Sequence, residues 1–281
     1  MSIKFGVCEF CMPCDGPLAI KMAHDAGFEG IQLGDLGGVS KSYPFSNRYV
    51  QDEYMQVSTD MNVNLQAMHL QSLFNSRFML DIPTSENGKL AREALRSAAI
   101  SCRQMNIPVI MVTATCVANQ EQYDNLCAAL KFGLQVCAEN GVHLVMENDF
   151  TPNQFLNLRE RVGEELKLCF DMMNPTVYGI GEPYKLIEEV GVQVIDHFHA
   201  KDCVENVHGY FSKYTTPYRL IGEGKSGFHK CAQVINSTDY DGWIMSETFY
   251  YSPDFRGRDF VELASRDVAT LRNTFSNRRK A

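Results

Sequence analysis

Several marks of other protein classes are missing from this chain. No apolar run approaches the ~20 residues that a bilayer-spanning helix needs, and no basic-then-apolar leader opens the sequence. A cytoplasmic protein without a membrane partner is expected. Positive charge is not in excess either: 26 Lys and Arg stand against 34 Asp and Glu, a net charge of −8. Such a surface repels phosphate backbones, so nucleic acid is not an expected partner. The densest basic cluster, Arg278-Arg279-Lys280, sits at the very end. No Gly-x-Gly-x-x-Gly follows the first strand, which argues against a dinucleotide fold, and no organic cofactor is expected. No Pro/Gly/Ser-rich linker divides the 281 residues, so a single domain over 1–281 is expected.

Cysteine is plentiful but not arranged as a framework. Ten thiols without a leader read as reduced. Cys102, Cys127, Cys137 and Cys231 fall at helical apolar spacing and read as small core residues. Cys8-x-x-Cys11-x-x-Cys14 could suggest an iron–sulfur cluster, but the usual fourth Cys is missing nearby. Neutral thiols near the mouth of a pocket are the better reading.

What is present is alternation. Apolar strand segments are predicted at 4–9, 29–34, 63–69, 107–113, 142–147, 166–171, 192–200 and 242–247. Helical patterns fall between them at 17–26, 47–61, 86–105, 119–140, 152–163, 182–190 and 228–236, with a last one at 260–275. Strands apolar on both faces and separated by helices mean a parallel sheet covered by helices. Eight such units predict an α/β fold closed into a single (β/α)8 TIM barrel, whose chemistry lies at the C-terminal strand ends.

Those ends read Glu9, Gly34, His69, Thr113, Glu147, Asp171, His199 and Glu247. Four neighbouring strands thus finish in Glu, Asp, His and Glu. Unshared carboxylates converging at one rim would repel one another, and a divalent cation removes that cost. Glu147, Asp171, His199 and Glu247 are therefore the expected metal ligands. Three oxygen donors and one nitrogen suit Mn²⁺, with Mg²⁺ or Co²⁺ as alternatives, better than a structural zinc. His69 is a candidate for a substrate hydroxyl or for a proton-transfer role, as against a core imidazole. Asn174, Lys201 and Glu223 are further substrate-binding candidates, with Lys201 either meeting a substrate oxyanion or pairing with Glu223. His197 and His143 read as barrel-interior residues, and Trp243 as core.

Met-Glu-Asn at 146–148, Cys-Phe-Asp at 169–171, His-x-Lys-Asp at 199–202, Gly-Glu-Gly at 222–224 and Ser-Glu-Thr at 246–248 carry a resemblance over nearly the whole chain. Together they resemble the xylose isomerase-like TIM barrels, and within them the sugar isomerases and ketose 3-epimerases. The resemblance implies that Glu147 and Glu247 double as acid/base residues on opposite faces of a carbohydrate substrate. It implies an isomerase or epimerase that removes a proton alpha to a ketose carbonyl through a metal-stabilised enediolate.

The chain departs from the epimerase pattern at several points. Asn174 stands where those enzymes carry His three residues after the Asp. The loop after His199 offers Cys203, Glu205 and His208 in place of an Arg, and Gln32 stands where many relatives have Glu. A lyase on the same scaffold, a keto-inositol or keto-acid dehydratase or an enzyme cleaving 3-keto C- or O-glycosides, is the alternative. A non-catalytic metal-holding module is disfavoured because neither Glu is lost. The three-metal endonuclease of the same superfamily is disfavoured by Asn174 and by the charge. The sequence leaves open whether the chain acts alone, as a homo-oligomer or as a subunit of a complex. No phosphate-gripping loop stands out, although Gly222-Glu-Gly224 and Gly227 leave room for one.

Overall fold

The computed structural model describes residues 2–36, 43–204 and 216–276. Glu205, His208 and the Arg278–Lys280 cluster lie outside the described residues. Strand β1 (Lys4–Cys8) leads through a short 3-10 turn to α1 (Pro17–Ala26), followed by β2 (Gly30–Gly34), α2 (Arg48–Met61) and β3 (Asn64–His69). Next come α3 (Gln71–Ser76), α4 (Glu86–Met105), β4 (Val109–Ala114), α5 (Gln120–Asn140), β5 (His143–Asn148), α6 (Pro152–Val162) and β6 (Lys167–Asp171). The chain continues through α7 (Asn174–Val177), α8 (Pro183–Val190), β7 (Ile195–Ala200) and the short β8 (Asp202–Cys203) and β9 (Tyr218–Arg219). It ends with α9 (Phe228–Asn236), β10 (Trp243–Ser246) and α10 (Phe260–Phe275).

The strands close in the order β1-β10-β7-β6-β5-β4-β3-β2, the eight-stranded barrel expected from the alternation. By its contacts the chain divides into two units: Met1–Ile31, Ser58–Asn64 and Cys169–Ala281 in the first, and Gln32–Val57 and Leu65–Leu168 in the second. In the first unit β1 pairs with β10 and β10 with β7, so Met245 lies opposite His199. In the second, β4 pairs with β5 over six residues, which puts Thr113 opposite Glu147.

Local chemistry explains where the long helices start and stop. The Ser85 hydroxyl accepts the Gly88 N–H at the start of α4, and Asn106 ends that helix in the left-handed conformation at φ 56°. Thr151 and Gln154 form a reciprocal capping box on α6. Gly141 closes α5 at φ 70°, where a side chain would be strained. Four of the helices predicted from periodicity, α1, α4, α9 and α10, have the predicted bounds.

Four details differ from expectation. Strand β7 begins at Ile195 because Val192–Val194 tighten into a 3-10 turn after Gly191. The long loop after His199 is anchored by an antiparallel pair, Asp202 opposite Arg219 and Cys203 opposite Tyr218. His143 is not interior: it opens β5 with its side chain exposed, because the strand's first residue precedes the buried register. Trp243 is only half-buried, with the Lys4 ammonium 5.3 Å from its ring centre. Cys102, Cys127, Cys137 and Cys231 are buried, as their spacing suggested.

Candidate active site

Three strand-end groups of the first unit meet. Asp171 ends β6, His199 is the penultimate residue of β7, and Glu247 follows β10; they are 4%, 0% and 6% exposed. Each offers a donor atom within 4.8 Å of the others. His199 Nδ1 is 3.0 Å from Glu247 Oε2. The other carboxylate oxygen of Asp171, Oδ1, accepts the N–H groups of Met173 and Asn174, each at 2.7 Å. That turn fixes the Asp171 carboxylate against rotation and places Asn174 beside it.

Lys201 sits among these groups, 1% exposed. Its ammonium donates to Asp171 Oδ2 at 2.8 Å and to Glu247 Oε2 at 2.9 Å. It therefore does not pair with Glu223, which lies half-exposed against Arg266 of α10. The two carboxylates that share this ammonium titrate in opposite directions. Burial works to raise Asp171, but the Lys201 charge beside it prevails and holds the carboxyl below its ordinary value. Burial pushes Glu247 up to about 8, with Lys201 opposing and Asp171 adding to the rise. An ammonium drawn to two buried carboxylates marks a place where positive charge is stabilised, so the donor set fits a divalent cation.

The second unit contributes a different arrangement. Thr113 Oγ1 donates to Glu147 Oε2 at 3.1 Å, and His69 Nε2 lies 3.0 Å from the same hydroxyl. His69, Thr113 and Glu147 are all buried. A threonine between imidazole and carboxylate orients the carboxylate and links His69 to it. Beside Thr113 lies a cavity of about 280 Å³, lined in part by Leu73, Phe74, Arg77, Met79 and Leu80. Gln32, in the middle of β2, is fully buried with its amide 3.5 Å from the Met111 sulfur.

Around the first group, Cys8 and Cys11 are fully buried, and Cys8 Sγ is 3.7 Å from His199 Nε2. Burial first, then neighbouring Cys8 and Glu247, push the Cys11 thiol up, which keeps it neutral. Glu9, buried in the 3-10 turn that follows β1, accepts the Gly16 N–H at 2.9 Å. It serves the entry to α1.

Asp202 was not singled out by sequence, although it follows Lys201 in the His-x-Lys-Asp run. Its buried carboxylate accepts the N–H groups of Cys203, Gly222, Gly224 and Ser226 at 2.9–3.1 Å. A Cβ at Gly224 would collide with that carboxylate and with the Cys203 carbonyl. Glycine there lets the 222–226 loop close onto Asp202. Thr113 was noted as a strand end, but its polar link to Glu147 was missed. An apolar strand closing on a threonine opposite a glutamate was the available signal.

Residues 20–274 match the family described as xylose isomerase-like TIM barrel. The chain belongs to that family. Among curated proteins it is 25% identical over 242 residues to the 2-epi-5-epi-valiolone 7-phosphate 2-epimerase of an Actinoplanes species, covering 85% of this chain and 84% of the relative. Among solved structures, D-allulose 3-epimerase from a Methylomonas species superposes with a TM-score of 0.71 at 16% identity, over 97% of this chain and 98% of that one. A structure of IOLI protein with a bound zinc atom superposes with a TM-score of 0.75 at 12% identity, covering 99% of this chain and 100% of the other. These structural likenesses speak for the fold.

Proposed function

We propose that this xylose isomerase-like barrel is a divalent-metal-dependent sugar epimerase or isomerase, moving a proton alpha to the carbonyl of a ketose or keto-sugar. The observation that carries the reading is the buried trio of Asp171, His199 and Glu247, with donor atoms within 4.8 Å of one another around the Lys201 ammonium. Glu147, at the end of the strand that pairs with β6 through Val145–Lys167 and Met146–Leu168, is proposed as the fourth ligand. Mn²⁺ is the proposed ion; when bound, it supplies positive charge to the oxygens on which negative charge develops.

In this reading Glu147 removes the substrate proton, its carboxylate held in one orientation by the Thr113 hydroxyl. Glu247, whose burial favours a bound proton, returns one to the opposite face for epimerisation or to the adjacent carbon for isomerisation. Lys201 balances charge as the proton moves between carboxylates. His69 and Asn174 are proposed to bond substrate hydroxyls, and the cavity beside Thr113 to receive the rest of a sugar-sized molecule. Glu223 is proposed at the rim of the binding loop, with its carboxylate held by Arg266.

The Actinoplanes relative is named for a phosphorylated substrate. Here the Gly222 and Gly224 amides are already committed to Asp202, which favours a substrate without a phosphate at that loop. The test is to incubate the metal-loaded protein in D₂O with a panel of ketoses, keto-inositols and 3-keto-glycosides. Deuterium entering the carbon alpha to the carbonyl, with an epimer or isomer formed, supports the proposal. Release of a beta substituent assigns the lyase reaction instead, and no exchange with any member rejects both.

A further inference from the structure

The first unit carries a second group of metal-ligand side chains, deeper along the same two strands. Cys169 lies two residues before Asp171 on β6, and His197 two before His199 on β7. Period-two alternation therefore directs each to the same face as the later residue. Cys169, His197 and His199 each offer one atom within 4.8 Å of the others, and none is more than 1% exposed.

His197 decides the case. Its Nδ1 lies 2.8 Å from Asp196 Oδ1, which fixes the ring proton on that nitrogen and leaves a lone pair on Nε2. Nε2 is buried and has no hydrogen-bond partner among the described residues. A buried polar atom without a partner calls for an explanation. An imidazole held from behind by a carboxylate, with its other nitrogen open, is the usual arrangement of a metal-bound histidine.

We propose that Cys169, His197 and His199 form an inner site for a thiophilic divalent ion, Zn²⁺ above all. One thiolate and two imidazoles suit zinc or cobalt(II), whereas the oxygen-rich trio suits manganese or magnesium. On binding, the Cys169 thiol releases its proton to solvent and its sulfur donates an electron pair to the ion. Zinc–sulfur and zinc–nitrogen bonds of about 2.3 and 2.0 Å draw tetrahedral donors to roughly 3.5 Å apart, a contraction within reach of side-chain torsions. His199 belongs to both groups, so an inner ion withdraws it from Asp171 and Glu247. Zinc at the inner site thus opposes manganese at the rim.

The site stands independently of the proposed reaction, and its test reads no activity. Metal-free full-length protein is titrated with Co²⁺ under reducing conditions and followed by absorption. The expected result is a sulfur-to-cobalt charge-transfer band in the near ultraviolet that Zn²⁺ abolishes. Cys169→Ser should lose the band, His197→Gln should weaken Co²⁺ binding at least tenfold, and Asp171→Asn should keep the band. Cys169→Ala, checked by circular dichroism, serves should the serine variant misfold. No band in the wild-type protein would overturn the proposal. So would a band that survives Cys169→Ser and disappears in Cys8→Ser, since Cys8 is the other thiol near His199.

Discussion

Glu147 and Glu247 are the same side chain at the same kind of position, yet their units give them different company. Glu247 shares a buried ammonium with Asp171, lies 3.0 Å from His199, and is pushed up to about 8. Glu147 meets a neutral hydroxyl, Thr113, which is itself 3.0 Å from His69. The first environment favours a bound proton on Glu247; in the second, a hydroxyl orients the Glu147 carboxylate. The proposed reaction uses this difference, assigning one residue type at two strand ends the part of proton donor in one unit and of base in the other.

The comparison is broken most severely at the base. Glu147→Gln keeps the trio of the first unit but removes the proposed proton acceptor, so turnover should fall about 10³-fold or more while metal binding is only weakened. Kinetics together with metal analysis check this, and near-normal turnover would remove Glu147 from its role. On the other side, Lys201→Met strips the shared ammonium from two buried carboxylates. It should destabilise the metal-free protein by about 3–5 kcal/mol, with much of the loss recovered on adding Mn²⁺. Melting temperatures with chelator and with metal measure both arms.

Much of this arrangement was legible before the fold was known. Glu147, Asp171, His199 and Glu247 could be read because each closes a compact apolar run, where a polar group stands out. The bounds of α1, α4, α9 and α10 were legible because Gly27, Ser85, Asn106, Gly227 and Asp259 punctuate clear helical patterns. Partnerships were harder. Nothing local tells Lys201 to choose Asp171 and Glu247 over Glu223, because that choice depends on strands 30 and 46 residues away. The Asp202 clamp on the 222–226 loop is hidden for the same reason. The short helices α3 and α7 are too brief for a period to show.

Asp267 sharpens the comparison from outside the site, as a buried carboxylate with no ammonium to share among the described residues. It accepts the Ile221 N–H and the Tyr250 hydroxyl, each at 2.8 Å, yet burial still pushes it up to about 6. A folded-state pKa above the unfolded one makes the folded protein the better proton binder, so the contribution of Asp267 to stability is greatest below about pH 4. It should decline by about 3 kcal/mol as pH rises to about 6. Denaturant midpoints across that range should fall in the wild type and flatten in Asp267→Asn; an equal fall in both would assign the effect elsewhere. The smallest expected effect is at the relay: Thr113→Val should lower kcat about tenfold, leave KM nearly unchanged and hardly affect melting. A large stability loss would make Thr113 a structural residue.

The most direct measurement follows solvent deuterium into a turned-over keto-sugar in one sample: as prepared, after chelation, and after Mn²⁺ is restored. Exchange at the carbon alpha to the carbonyl should be present, lost and regained in that order, and Glu147→Gln should show none at any stage. Exchange that continues undiminished in the chelated protein, or a product carrying no solvent deuterium, would contradict the account.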